Sequence, residues 1–223
     1  MKTRYLNQVL AVIKNLYLPI GLFIVTLLFI GLARSPLLHA SLDKGKELST
    51  PRSASSVPLS KGKFLVARGA MRDPHFHKAV IYLIDYNPLG ALGVVINRPT
   101  KVKLSEALPE VAWLQGTLLP LSWGGPVEKS RLTILALSKS PLFGTEHMAG
   151  DLYAGWDVVL FKDFFKSGSI EAKAVRAFGG YAGWAPGQLD GEVARGGWRV
   201  MDASVDDIFR DTTNLWFKLM GRP

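Results

Sequence analysis

Six side chains in this sequence have the chemistry and the setting of a polar binding site: Asp73, Asn97, Arg98, Tyr181, Trp184 and Gln188. Asn97 and Arg98 close the apolar run Val94-Val95-Ile96 just ahead of Pro99. Proline cannot donate to a ladder and pushes its predecessor towards an extended conformation, so the strand ends at Asn97 or Arg98. An amide and a guanidinium therefore surface where a core strand leaves its sheet. Tyr181, Trp184 and Gln188 belong to a second glycine-rich block, Phe178–Leu189, in which Pro186 reads as the first residue of a helix running to about Arg195. Glycines ahead of a helix let backbone N–H groups approach an anion. The same residue types also build turns and structural clamps.

Other constellations carry less. His75 and His77 share a face if extended, and Asp73 could join them on a metal, but the spacing of a structural or catalytic site is missing. His147 is the other histidine beyond the first sixty residues. The block Gly179–Gly187 fits neither the P-loop nor the dinucleotide pattern, and the chain holds no G-x-S-x-G elbow and no S-x-x-K. With no cysteine there is no disulfide, thiolate or Cys-based zinc site. The sequence assigns no catalytic residue, metal or cofactor.

The net charge of +9 suggests nucleic acid until it is divided along the chain. Residues 1–63 carry nine Lys/Arg against two Asp/Glu; residues 64–223 carry eighteen against sixteen. The near-neutral remainder offers little to hold phosphates, so nucleic acid is not an expected partner.

The excess charge flanks an apolar stretch. Asn15–Ala33 is nineteen residues without a charge, long enough to span a bilayer core of about 30 Å as a helix. It is expected to be an uncleaved single-pass anchor, making the lipid bilayer a partner through residues 15–33. The rival is a cleaved signal segment ending at Leu38-His39-Ala40, against which stand the length of the stretch and the large Leu38. Lys2, Arg4 and Lys14 precede the stretch and Arg34, Lys44, Lys46 and Arg52 follow it, so the positive-inside rule selects no side. The expected organisation is an anchor or signal segment over 1–41, a Ser/Pro/Lys/Gly tether over 42–62 and a folded domain over 63–223.

Within that domain the patterns predict strands at 64–67, 80–84, 91–97, 118–123, 132–137, 158–161 and 198–201. Short helical turns are expected at 104–108 and 164–173, and a closing amphipathic helix over about 205–219, capped by Ser204. The strands at 80–84 and 91–97 form an antiparallel hairpin across a Pro/Gly turn. This is an α+β fold with a largely antiparallel or mixed sheet and a few packed helices.

Five ordered blocks carry a resemblance: GAMRDPHF at Gly69–Phe76, VIYLID at Val80–Asp85, GALGVVINRPT at Gly90–Thr100, WGGPV at Trp123–Val127 and FGGYAGWAPGQLDGEV at Phe178–Val193, followed by Trp198. Together they resemble the AlgH/YqgE family over roughly residues 62–219. The resemblance implies an α+β fold and no established chemistry; members carry the label of transcriptional regulator. Ala79 stands where many members have a small hydroxyl residue, and the leader is an extension. The leading expectation is a membrane-tethered regulatory or protein-interaction module with a protein partner. The alternatives are a small-ligand protein or enzyme with a polar cleft near Arg98 and Trp184, and a transcriptional regulator. The two glycine-rich blocks are expected to meet, bringing Arg98 against the Tyr181–Gln188 turn.

Overall fold

The computed structural model describes residues 57–222 apart from Ala70, Arg72, Ser169 and Asp211. The anchor expected at 15–33 and most of the tether lie outside the described residues. Among those described, no helix is long and apolar enough to cross a membrane. The last residues assigned to the tether are described, and Val57 and Leu59 pack on the apolar core.

Ten strands carry the fold: β1 (Lys63–Ala67), β2 (Val80–Asn87), β3 (Gly90–Val95), β4 (Pro99–Lys103), β5 (Pro120–Trp123), β6 (Val127–Leu137), β7 (Glu146–Ala149), β8 (Leu152–Gly155), β9 (Val175–Trp184) and β10 (Trp198–Asp202). Their main order is β10-β1-β2-β3-β9-β6-β8-β7, all antiparallel, while β4 pairs β5 and β5 runs parallel to β9. The helices are α1 (Leu104–Ala107), α2 (Val158–Lys166), α3 (Gln188–Ala194), α4 (Val205–Phe209) and α5 (Leu215–Met220). The α+β reading and the β2–β3 hairpin both hold.

Alternation along β1 and β2 explains why these strands read as unbroken apolar runs. Phe64, Val66, Val80, Tyr82 and Ile84 face one core, covered by Ile208 of α4 and by Leu215 and Leu219 of α5. Leu65, Ala67, Ile81 and Leu83 face a second, covered by Leu189 of α3 and by Trp184 and Trp198. A strand buried on both faces has no polar side to show. A third core lies under α1 and α2, centred on Leu104, Ile134 and Phe161.

Strand β9 joins these regions. One edge pairs β6; the other pairs first β5, at Ala177–Gly179, and then β3, at Ala182–Trp184. Since β5 and β6 lie on opposite edges of β9 and are joined only by Gly124-Gly125-Pro126, that link must cross β9 backbone to backbone. Gly124 N–H donates to Gly179 O at 2.8 Å, and Val95 N–H donates to Gly124 O at 2.8 Å, which ties β3 to the same crossing. A Cβ on Gly125 would stand 2.1 Å from the Tyr181 carbonyl, and one on Gly180 would stand 2.4 Å from Gly125 O.

Three assignments from sequence are corrected. Val158–Phe161, expected as a strand, begins α2, because Asp157 accepts from Val159 N–H at 2.8 Å and caps a helix. The closing helix is two short ones, α4 and α5. The Ser204 side chain makes no cap bond, and Asp207 is buried in an ion cluster with Lys218 at 2.7 Å and Arg222 at 2.8 Å. The Gly-rich segment Phe178–Trp184, given no strand from sequence and placed from Tyr181 in a turn, forms much of β9.

The crossing predicts that Gly125→Ala lowers stability by about 3 kcal/mol or more, since both φ and space are wrong. Gly150→Ala, with φ +55° but open space, should lose about 1 kcal/mol. Equal losses in thermal melts would refute a crossing limited by room.

Asp207 sets an acid limb. Burial alone would raise its carboxyl pKa, but hydrogen bonds from Arg222 and Lys218 outweigh burial and hold it below the usual carboxylate value. A carboxyl depressed in the folded state stabilises fully above its ordinary pKa and loses that contribution as pH falls through the lowered value. Asp207→Asn should remove about 1–3 kcal/mol at neutral pH and flatten the fall of stability into acid. Parallel pH curves for parent and variant would contradict this.

Candidate functional site

The loop Asp73–Ala79 between β1 and β2 reaches most of the residues singled out from sequence. Asp73 shapes it, its carboxylate accepting from His75 N–H at 2.8 Å. The His75 ring stacks on Trp123 with centroids 6.4 Å apart. Phe76 lies against Trp184 at 6.5 Å and Trp198 at 5.7 Å.

Asn97 is buried and acts as a piece of backbone. Its Oδ1 accepts from Val80 N–H at 2.9 Å, while its Nδ2 donates to Lys78 O at 2.9 Å. Lys78 sits at φ 54°, a conformation costly for a side chain of its kind, and the amide helps to hold it there. The half-buried Arg98 donates from Nη2 to His77 O, and its own carbonyl accepts from Trp123 N–H at 2.9 Å.

Beyond Phe76, Glu192 of α3 gathers three donors. Its Oε2 accepts from the indoles of Trp184 and Trp198 at 3.0 and 2.8 Å, and its Oε1 accepts from Gln188 Nε2 at 3.0 Å. Gln188 Oε1 in turn accepts from Ala185 N–H at 3.1 Å, closing the turn ahead of α3.

The two glycine-rich blocks do meet, as neighbouring strands β3 and β9. The expected contact of Arg98 with the Tyr181–Gln188 turn is replaced by its bond to His77. With Ala91 opposite Trp184 and Gly93 opposite Ala182, the antiparallel register carries the chain beyond β3 away from that turn. Tyr181 stands apart from the other five. It packs on the first core while Trp184 packs on the second, its hydroxyl reaches Glu128 at 3.1 Å, and Arg131 lies 5.2 Å from its ring. Burial and the Glu128 carboxylate raise the Tyr181 pKa, so its phenol stays protonated. Asp73, Asn97, Arg98 and Trp184 thus belong to or touch one loop, and Gln188 joins Trp184 through Glu192.

A second region was not singled out from sequence. Ala112, Trp113 and Thr117 face Lys162, Phe165 and Lys166 of α2 across a shallow trough of about 450 Å³. The Trp113 and Phe165 rings are 5.3 Å apart. The Trp113 N–H is buried without a partner among the described residues, at a cost of about 1–3 kcal/mol. Leu118, next to Thr117, is 78% exposed, Val159 of α2 is 51% exposed, and Phe143, in the loop before β7, is 82% exposed. Leu160 borders Gly144, which joins the Phe143 loop to α2. The helical spacing of Phe161, Phe164 and Phe165 was the available signal, obscured by the Val158-Val159 pair. No cluster of three or more potential metal-ligating side chains occurs among the described residues.

With this geometry in view, a family model described as AlgH-like (DUF179) matches residues 64–222. The chain belongs to the AlgH/YqgE family. A UPF0301 protein of Chlorobaculum tepidum is 33% identical over 153 residues, 69% of this chain and 80% of that one. A UPF0301 protein of Streptomyces avermitilis is 36% identical over 176 residues, 75% and 89% of the two chains. The AlgH protein from Pseudomonas aeruginosa, solved in solution, aligns at a TM-score of 0.59 with 30% identity, covering 76% of this chain and 93% of that one. Protein DIP2367 from Corynebacterium diphtheriae shares the fold at a TM-score of 0.63 with 23% identity, covering 75% of this chain and 88% of that one.

Asn97→Ala should strand Val80 N–H and Lys78 O and lower stability by about 2–4 kcal/mol. Arg98→Ala removes one bond at a half-exposed site and should cost about 1 kcal/mol. An unchanged melting temperature for Arg98→Ala would show that Arg98 is no clamp and leave it free for a ligand.

Proposed function

We propose that this AlgH-like protein is a membrane-tethered regulatory or protein-interaction module that works by surface contact. The supporting observation is the distribution of polar and apolar groups. Near Arg98 and Trp184, where the alternative reading places a polar cleft, the loop Asp73–Ala79 bonds to Asn97 and Arg98 and lays Phe76 against Trp184. Around α2, by contrast, large apolar side chains stand exposed beside a shallow trough, the kind of surface that marks contact with another macromolecule or a membrane. Residues 15–33 act as the membrane anchor and residues 42–62 as the tether.

Two measurements on the full chain in cells test this reading. A photo-crosslinking residue at Val159 should give discrete protein or lipid adducts, and one at the exposed Lys101 of β4 should not. Absence of adducts at Val159 overturns the contact surface. The chain should also stay with membranes through alkaline carbonate extraction and retain residues 1–41; a mature chain beginning at Ser41 overturns the tether.

A further inference from the structure

We infer that residues 57–62, which lead into β1, form a strap that holds the β7–β8 hairpin shut over the first core. The strand order leaves a gap to be closed. Side chains of β1, β2, β6 and β8 share the first core although β1 and β8 stand near opposite ends of that order, so the sheet curls round on itself. Strand β7 is the last in the order. Among the described residues its strand partner is β8, and a register shift between His147 and Ala149 interrupts that pairing. A short, irregular end strand with one edge outside any ladder opens more readily than the centre of a sheet.

Lys61 spans the gap. Its ammonium pairs with the Glu146 carboxylate and also donates to His147 O at 3.2 Å, so one side chain holds β7 by both side chain and backbone. The lysine is itself fixed on both sides. Ahead of it, Val57 and Leu59 pack on the second core; after it, Gly62 N–H donates to Leu83 O of β2 at 2.9 Å. An exposed ion pair contributes little when two free side chains must be ordered to make it. Here the lysine starts from a backbone pinned at both ends. Glu146 lies on the same side of β7 as Met148, which packs on the first core. Lys63, two residues on, makes the useful contrast. It pairs with Asp202 at 2.5 Å, but β1 and β10 are already ladder neighbours, so that pair closes nothing. The Lys61 contact instead joins parts of the sheet that no ladder connects. Met148, Leu152 and Ala154 bring the hairpin onto the first core, so lifting it uncovers part of that core. Anything that draws residues 57–62 off the fold therefore opens the sheet at β7 while its centre stays closed.

Hydrogen exchange on the full chain, resolved by peptide, tests the strap. Lys61→Ala and Glu146→Ala should each speed exchange of the amides in 146–155 about two- to fivefold. The double variant should exchange no faster than Lys61→Ala alone, because the lysine variant already removes both contacts. Exchange in β1, β3 and β9 should stay at the parent rate. Lys61→Arg, which keeps the cation, should retain most of the protection, and Lys63→Ala should leave β7 and β8 unchanged. Hairpin exchange at the parent rate in Lys61→Ala overturns the strap. So does an equal increase in Lys63→Ala, or a uniform increase across the whole sheet, which would mark an ordinary surface ion pair.

Discussion

The crossing of Gly124-Gly125-Pro126 over β9 is the contact on which the rest of the structure depends. It places β5 and β6 on opposite edges of one strand with a link of three residues, and it brings β3 alongside through the bond from Val95 to Gly124. Two backbones can approach this closely only where neither carries a Cβ. Gly125 and Gly180 meet that condition at the point of closest approach, and each takes a positive φ. Remove the crossing and β9 loses an edge, the third core separates from the first two, and α2 has nothing to pack on.

The two ends of the molecule use this frame differently. Around the Asp73–Ala79 loop, polar side chains stand in for backbone: the Asn97 amide extends the hydrogen bonding of β2, and the Glu192 carboxylate binds two indoles and an amide. Groups so engaged make a rigid corner and have little left to offer a ligand. Around α2 the balance is reversed. Phe161 anchors the helix from below, but Val159 and Phe143 keep half or more of their surface exposed. An apolar area that a fold leaves uncovered is a standing cost in water, and contact with a partner or a membrane offsets it.

A buried cation shows how firmly the frame is held. Arg176, on β9, makes no ion pair among the described residues; burial lowers its pKa to about 10, and it donates to Ile208 O at 2.6 Å and to Ser122 Oγ at 3.2 Å. It therefore ties α4 to β9 and β5 through neutral acceptors. The neighbouring Asp207 ties α4 to α5 through charged ones. Together they explain why the end of the chain folds as two short helices bent around a buried acid.

Much of the centre of the sheet was legible from residue order, and the reason is local. Val80–Ile84 and Val94–Ile96 are apolar on both faces, Pro99 stops one strand and Pro109 limits α1, and each of these effects acts within a few residues. The family was legible as well, because the glycines of the crossing recur in ordered blocks even when their purpose is unseen. What the chain order could not show is which distant backbones touch. Glycine weakens a strand signal, so β9, the most connected strand, gave no strand pattern until its neighbours were known. Val158-Val159 favoured a strand until the Asp157 cap and the third core made a helix of it. Arg98, Trp184 and Gln188 were recognised as polar groups at strand ends, but whether they line a cleft or fasten a loop depends on strand register, which only the tertiary structure decided. The α2 face had no motif at all: it is defined by what the fold leaves uncovered.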